Sequence, residues 1–132
     1  MTLVDTNIPI YLVGAGDTYK ARAHRLLDRA ATNRERLVTD AEVFQEILHR
    51  YVAINRRDAI QPAFDVLHEV VDDIFPISAA VVDRAKSLVL GYRTLSARDA
   101  IHVAAMQEHG VTHVMSFDHG FDAIPGLTRI SD

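Results

Sequence analysis

Residues 96–121 read SARDAIHVAAMQEHGVTHVMSFDHGF, and the fold can be predicted from this stretch outward. Residues 97–106 are apolar almost all round, which predicts a largely buried helix that Ser96 opens and that ends near Gly110. Residues 114–116 then predict a short buried strand. A buried helix that leads into a buried strand is typical of α/β folds, in which helices cover a central sheet.

The same alternation extends over the rest of the chain. Strands are predicted at residues 2–5, 37–39, 74–77, 114–116 and 127–130, the first being followed by a break at Asn7 and Pro9. Helices are predicted from Tyr19, after Thr39 or Asp40, over residues 59–71, around Val81 and after Ser96. We therefore expect an α/β fold with a mostly parallel sheet of four to five strands covered by helices on both faces.

The composition indicates an ordinary globular protein. With 132 residues, 48% hydrophobic and 24% charged, the chain is expected to form a single domain over residues 1–132. The absence of cysteine excludes disulfides, thiolate zinc sites and a cysteine nucleophile. The start MTLVD has no signal-peptide character and no stretch is long enough to span a membrane, so we expect a cytoplasmic protein without membrane contact.

The net charge of −4 counts against a general nucleic-acid coat protein, which normally has an excess of lysine and arginine. The arginines are nevertheless unevenly distributed. They crowd two regions, one with Arg22, Arg25, Arg29, Arg34 and Arg36 and the other with Arg50, Arg56 and Arg57. Solvated helix faces are the preferred interpretation, and contact with phosphate is the alternative.

The helix after Asp40 has an unusually wide apolar surface. Its main stripe consists of Phe44, Ile47, Leu48, Tyr51 and Val52. Val43 and Ile54 widen it beyond what one core face needs. A second apolar contact, for example with a dimer partner, is therefore expected on this helix.

Acidic residues follow several predicted strands. Asp5 follows the first, Asp40 and Glu42 the second with Glu46 one turn later, Asp118 follows the fourth, and Asp99 lies in the first turn after Ser96. In parallel sheets ligands bind outside the carboxyl ends of the strands. Carboxylates that gather there repel one another, so the cluster needs protons or a cation, and magnesium prefers oxygen ligands.

Structural roles are also open for these residues. Asp5 could form a turn or cap a helix. Glu42 stands three residues after Thr39, the spacing of a capping box, and helical periodicity places Glu46 on the solvent side. Asp99 could complete a capping box too, but a carboxylate on a buried helix must be paired or ligate a metal, which favours a function.

Other chemistries are less well supported. The seven histidines include no HExxH pair, and GxSxG, Walker-type and GxGxxG motifs are missing. His102 could support Asp99 as a donor, although a hydrogen-bonded core histidine is the preferred interpretation. Asp122 is interpreted as a turn residue in preference to an outer ligand.

Three segments together resemble PIN-domain ribonucleases, particularly VapC-type toxins of bacterial toxin–antitoxin pairs. They are MTLVDTN (1–7), VTDAEVFQEIL (38–48) and residues 96–121, and the similarity extends to about residue 126. The resemblance implies a PIN-like three-layer α/β/α fold. It also implies an acidic, metal-binding catalytic site made of Asp5, Glu46, Asp99 and Asp118.

The resemblance selects Glu46 over Glu42 as the ligand of the second motif, although the neighbouring acids leave that choice open. Asn7 and Ser116 match polar positions that support such a site by hydrogen bonds. Glu42 and Asp122 remain candidates for supporting roles.

The resemblance implies a Mg²⁺- or Mn²⁺-dependent endoribonuclease that hydrolyses phosphodiester bonds in RNA, with tRNA or rRNA as the expected substrate. Asp5 and Asp99 would ligate the principal ion, and Asp118 and Glu46 would complete a second site or orient water. The implied partners are a cognate antitoxin, a second copy in a homodimer, and operator DNA through the antitoxin.

Two alternative functions are less well supported by the sequence. A catalytically silent PIN-like module would only bind RNA or protein, but unused metal ligands would simply repel one another. A phosphatase or flap-type DNA nuclease is less favoured, because no DxDxT motif and no obvious helical clamp for DNA occur.

Overall fold

The computed structural model describes residues 1–16 and 18–132. Its strands are β1 (Thr2–Val4), β2 (Leu37–Asp40), β3 (Asp73–Phe75), β4 (His113–Met115) and β5 (Thr128–Ile130). Its α-helices are α1 (Asn7–Val13), α2 (Thr18–Thr32), α3 (Ala41–Ala53), α4 (Ile60–Val70), α5 (Ala79–Gly91) and α6 (Ala97–Glu108). Short 3₁₀ turns occupy Arg57–Ala59 and His119–Ala123.

The five strands form one sheet in the order β3-β2-β1-β4-β5. Every neighbouring pair is parallel, and Thr2 of β1 lies opposite Leu37 of β2 and His113 of β4. The chain adds β2 and β3 on one side of β1 and then crosses to add β4 and β5 on the other. This confirms the predicted parallel sheet and makes the β1–β4 boundary its topological switch point.

Helices cover both faces of the sheet, which confirms the three-layer α/β/α architecture. Leu3 and Val114 of the central strands pack with the helices α5 and α6. Their chain neighbours Val4 and Met115 pack on the opposite face with residues of α1 to α4. All four are at most 1% exposed, so the central strands are buried on both faces, as parallel strands generally are.

Helix ends follow the capping chemistry of the sequence, with one correction. The N-cap of α3 is Asp40, whose side chain accepts the Val43 N–H at 3.0 Å. Thr39 is therefore not the cap and makes no capping box with Glu42, because its hydroxyl donates to the Val4 carbonyl instead. Helix α1 begins at Asn7 despite Pro9, because a first-turn N–H has no helical partner to lose.

The apolar surface of α3 is divided differently from the prediction. Val43, Ile47 and Tyr51 face the core, and Val43 is 0% exposed, so it belongs to no second contact. The residues left outside are Leu48, Val52 and Ile54, at 43%, 44% and 53% exposure. An outward apolar surface therefore exists on α3, and it consists of Leu48 and Val52 from the predicted core stripe together with Ile54.

Within the two described ranges, the structure contains no helix with both the length and the apolar character that a membrane crossing requires.

Candidate active site

The candidate site lies at the switch point of the sheet. Asp5 follows the last residue of β1 and donates its N–H to the Met115 carbonyl at the end of β4. Ser116 follows β4, and Asp40 is the last residue of β2. Because the strands are parallel, these three residues share one edge of the sheet, where ligands of open α/β folds bind.

A cavity of ≈ 220 Å³ opens at this edge. Its lining residues are Asp5, Thr6, Asn7, Ile10, Tyr11, Glu46, Arg50, Arg98, Asp99 and Asp118. The structure thus brings together all four carboxylates of the predicted acidic set, although they come from the ends of β1 and β4, from α3 and from α6. We call this cavity the acidic cleft.

Asp5 is held in one orientation by its neighbours. It is 4% exposed, and it accepts hydrogen bonds from the Thr6 N–H at 2.8 Å and the Ser116 hydroxyl at 2.6 Å. The Asn7 amide donates to both Asp5, at 3.4 Å, and Ser116, at 3.2 Å. Burial raises the pKa of Asp5, while the positive charge of His102 and these hydrogen bonds oppose the rise.

Asp99 and Asp118 meet on the other side of the acidic cleft. Ser96 caps α6 by accepting the Asp99 N–H at 3.1 Å, which leaves the Asp99 carboxylate to face Asp118. Burial, the contact with Asp118 and the charge of Asp5 raise the pKa of Asp99 to about 8. Two carboxylates in contact at neutral pH require either a shared proton or a cation.

Gly120 leaves space beside these two carboxylates. A Cβ at this position would lie 3.2 Å from Asp118 Oδ1 and 3.3 Å from Asp99 Oδ2, so a larger residue would press on both. The Gly120 N–H also donates to Asp118 at 2.8 Å. An oxygen-only donor set with open space beside it fits a hard divalent cation.

Glu46 faces the acidic cleft, which helical periodicity alone does not predict. Its side chain is 13% exposed, and it accepts the Thr6 hydroxyl at 2.5 Å. His102 Nε2 lies 3.0 Å from its other oxygen. The side of α3 that carries Glu46 contacts Thr6 and His102 of α6, and these polar partners replace water.

His102 is the buried, hydrogen-bonded histidine that the sequence favours, and its partners are carboxylates of this region. It is 0% exposed, with Nδ1 2.7 Å from Asp40 Oδ2. Burial by itself lowers the pKa of His102, but Asp40, Glu46 and Asp5 raise it well above its ordinary value. Both ring nitrogens face carboxylate oxygens, and the protonated ring fits this position because it can donate an N–H to each.

Ligand atoms of Asp5, Glu46 and His102 lie within 4.8 Å of one another, close enough for a metal ion. Both ring nitrogens of His102, however, already contact carboxylates. A protonated ring has no lone pair to give a metal. The carboxylates of Asp5, Asp99 and Asp118 are therefore the better candidate ligands.

The remaining sequence candidates lie outside the lining of the acidic cleft. Glu42 is half-buried in the first turn of α3, where burial and then Glu46 and Asp40 raise its pKa against the opposing charge of His102. Asp122 pairs with Arg129 at 2.9 Å, and that arginine holds its pKa below the usual range.

Two arginines that the sequence did not assign to the site line the acidic cleft, although Arg50 belongs to a region for which contact with phosphate is the alternative interpretation. Arg50 stands one helical turn after Glu46, Arg98 directly precedes Asp99, and both belong to the lining of the acidic cleft. The i, i+4 spacing of Glu46 and Arg50 is the signal that could have revealed the first.

Comparisons with known proteins place the chain in a family. A family model described as PIN domain matches residues 2–127. Ribonuclease VapC13 of Mycobacterium tuberculosis is 58% identical over 131 residues, covering 99% of this chain and 100% of that protein. The crystal structure of Mycobacterium tuberculosis VapC20, a Sarcin-Ricin loop cleaving toxin, has a TM-score of 0.82 at 22% identity and covers 100% of both chains.

VapBC2 from Rickettsia felis, solved on a DNA fragment from its promoter, has a TM-score of 0.74 at 15% identity and covers 99% of this chain and 98% of that chain. The two structural similarities establish the fold. The family match and the 58% identity to Ribonuclease VapC13 establish the family. The chain belongs to the PIN-domain family and, within it, to the VapC ribonuclease toxins.

Proposed function

We propose that this chain is a Mg²⁺- or Mn²⁺-dependent endoribonuclease that hydrolyses phosphodiester bonds in RNA. One observation carries the proposal: the carboxylates of Asp5, Glu46, Asp99 and Asp118 line a single cleft together with two arginines. Carboxylates suit a divalent ion, and guanidinium groups suit the phosphates of a nucleic acid.

In this proposal Asp5 and Asp99 are the principal metal ligands. Ser116, Asn7 and the Thr6 N–H fix the orientation of Asp5, so the ligand needs little rearrangement when an ion arrives. Asp118 would complete this set of oxygen ligands. When bound, the ion would supply charge neutralisation of the phosphate and would lower the pKa of an attacking water.

Glu46 is proposed to orient water or to complete a second ion site. It is held by the Thr6 hydroxyl on one oxygen and by His102 on the other. Asp40 in turn holds His102, which keeps the imidazolium and hence Glu46 in place. Asp40 and His102 act by positioning, because both are 0% exposed and cannot touch a substrate.

Arg50 and Arg98 are proposed to hold the phosphate of the substrate. Both line the acidic cleft among the carboxylates. A guanidinium can donate two parallel hydrogen bonds to a phosphate. Such bonds would hold the RNA backbone near the carboxylates, although the protein has a net charge of −4.

Single-stranded or looped RNA is the proposed substrate class, because a cleft can splay its unpaired nucleotides. We propose rRNA or tRNA as the target, in a cytoplasmic protein formed by one domain over residues 1–132. Membership of the VapC family supports a cognate antitoxin, a homodimer, and operator DNA reached through the antitoxin. The apolar surface at Leu48, Val52 and Ile54 is available for one of these protein contacts.

The test is cleavage of RNA by the purified protein with Mn²⁺, with EDTA, and after the substitutions Asp5→Asn and Asp99→Asn. We expect cleavage with the metal and a loss of at least about 100-fold otherwise, since such ions stabilise transition states by several kcal/mol. DNA and a phosphomonoester, tested beside RNA, separate a ribonuclease from the other hydrolases. RNA binding without cleavage under every metal condition would favour the silent binding module.

A further inference from the structure

Three aromatic rings extend the acidic cleft on its α1 side. Tyr11 lines the cleft and stacks on Tyr19, with ring centroids 4.8 Å apart and an interplanar angle of 14°. Phe117, which directly precedes Asp118, meets the two rings edge-on at 5.8 Å and 5.4 Å. We call these three residues the aromatic cluster. Tyr19 is 41% exposed, so the cluster reaches the surface beside the cleft.

The aromatic cluster joins a row of arginines on α2. The Arg22 guanidinium lies 5.1 Å from the Tyr19 ring centroid and 4.8 Å from that of Phe117. Arg25 and Arg29 follow at i+3 and i+7 of the same helix, with side chains 55% and 54% exposed. We call Arg22, Arg25 and Arg29 the arginine stripe.

One acidic residue occupies the arginine stripe. The Asp132 side chain accepts from Arg25 at 2.5 Å and from Arg29 at 3.3 Å, and Arg22 donates to the Asp132 backbone carbonyl. Oxygen atoms of Asp132 thus lie where three guanidinium groups converge, as the oxygens of a phosphate group would. Ion pairs between such exposed arginines and a carboxylate are weak, so a polyanion can displace Asp132.

We propose that the RNA strand leaving the acidic cleft crosses the aromatic cluster and follows the arginine stripe, whose phosphate site Asp132 covers in the free protein. This inference rests on the proposed ribonuclease function. Single-stranded RNA is the occupant that fits, because proteins bind it with a cationic track for the backbone and aromatic rings for the bases. An acidic protein segment would use the arginines but has no bases to stack on the rings.

The first experiment measures how RNA affinity depends on salt. A single-stranded RNA of about 12 nucleotides is bound by the cleavage-blocked Asp5→Asn protein, with and without Arg22→Gln/Arg25→Gln/Arg29→Gln. Each phosphate contact on a single strand contributes about 0.7 to the slope of log affinity against log salt concentration, so the triple substitution should lower the slope by about 2. Affinity at low salt should fall at least about 10-fold.

Arg57→Gln/Arg84→Gln/Arg93→Gln is the matched control. It removes the same charge from three exposed arginines that do not line the acidic cleft, and it should leave the salt slope unchanged. The double variant Arg25→Gln/Arg29→Gln changes only side chains that are more than half exposed, so it tests the stripe without disturbing the aromatic contacts of Arg22. Its slope should fall by about 1.4.

Asp132→Asn tests the covering residue and should change RNA affinity in the direction opposite to the arginine substitutions. It should raise RNA affinity in the Asp5→Asn background by several-fold, because the carboxylate no longer competes with phosphate. Asp83→Asn adds the same charge on α5, where Asp83 pairs with Lys86, and should raise affinity by less. Equal effects of the two substitutions would contradict a covering role for Asp132.

Failure of this inference can be told apart from failure of the proposed function. Unchanged salt slopes in the triple and double variants, in a protein that still cleaves RNA with Mn²⁺, would overturn the RNA path and leave the ribonuclease intact. Loss of capture of an antitoxin together with unchanged RNA slopes would assign the arginine stripe to a protein partner instead. A wild-type protein that neither binds nor cleaves RNA would overturn both.

Discussion

The imidazole of His102 lies 2.7 Å from the Asp40 carboxylate, and both side chains are completely buried. Asp40 also caps α3, and His102 belongs to α6, so this contact ties two helices together beneath the acidic cleft. Through its other nitrogen His102 reaches Glu46. The buried His102 ring thereby connects Asp40, the N-cap of α3, to Glu46 in the acidic cleft.

Replacing His102 with alanine should therefore destabilise the protein strongly. The change leaves Asp40 buried without its counter-charge, and breaking a buried pair in this way costs about 3–5 kcal/mol. The free energy of unfolding from urea denaturation measures the effect. His24→Ala, on the exposed side of α2, is the control and should change it by less than about 0.5 kcal/mol. Similar values for both variants would show that the buried contact contributes little.

The metal-free protein should lose stability as pH rises, and Asp99 should be a principal cause. The folded pKa of Asp99 is about 8 and its ordinary value is 3.8, so between these values the folded state keeps a proton that the unfolded chain has released. The free energy of unfolding then falls with rising pH across this interval. Asp99→Asn should remove this decrease in the free energy of unfolding. The free energy of unfolding of the variant relative to wild type should therefore increase up to about pH 8.

Urea denaturation in EDTA at several pH values between about 5 and 8 measures this difference. Asp83→Asn is the control, because Lys86 holds the pKa of Asp83 below its usual range. The stability contributed by Asp83 is lost only as pH falls toward that lowered pKa. The free energy of unfolding of Asp83→Asn should therefore differ from that of wild type by a constant amount over the same interval. A constant difference for Asp99→Asn as well would contradict the buried, protonated carboxylate.

Gly120→Ala should weaken both metal binding and RNA cleavage. The added Cβ would lie 3.2 Å and 3.3 Å from oxygens of Asp118 and Asp99, which must shift by a few tenths of an ångström. Because misplacement by about 1 Å can cost 100-fold in rate, we expect a loss of up to about 10-fold. Gly91→Ala, with no atom within 4 Å of its added Cβ, should leave cleavage unchanged. Equal activities would show that the two carboxylates need not stay in place.

Glu46→Gln and Glu42→Gln should differ in their rates of RNA cleavage. This difference shows which of the two residues is the ligand of the second motif. Glu46 lines the acidic cleft, whereas Glu42 lies outside that lining. We expect the rate of RNA cleavage to fall at least about 10-fold for Glu46→Gln and to change little for Glu42→Gln. The opposite order would assign the role to Glu42.

The parallel sheet and its strand-edge acids could be predicted because both follow from local signals. Strand and helix periods alternate, and Asp5 and Asp118 stand just beyond strands, so topology alone brings them to one edge. The burial of Asp99 also followed from the apolar character of α6.

The positions of Glu46 and Arg50 could not be predicted from periodicity. Both lie on the side of α3 that looks solvated, and only tertiary contacts, such as those of Glu46 with Thr6 and with His102 of α6, turn that side into a cleft wall. The contact between His102 and Asp40 joins residues 62 positions apart in the chain, a pairing that no local pattern contains. The family resemblance selected Glu46 because it reflects tertiary geometry that helical spacing lacks.

The most direct test of a metal site in the acidic cleft is an anomalous difference map from a crystal of this protein soaked in MnCl₂. We expect a manganese peak in the acidic cleft, about 2.1 Å from carboxylate oxygens of Asp5 and Asp99. The same peak should be missing from crystals of Asp99→Asn. A map with no peak in the cleft, or with manganese bound only outside it, would contradict the assignment of this carboxylate set to a divalent ion.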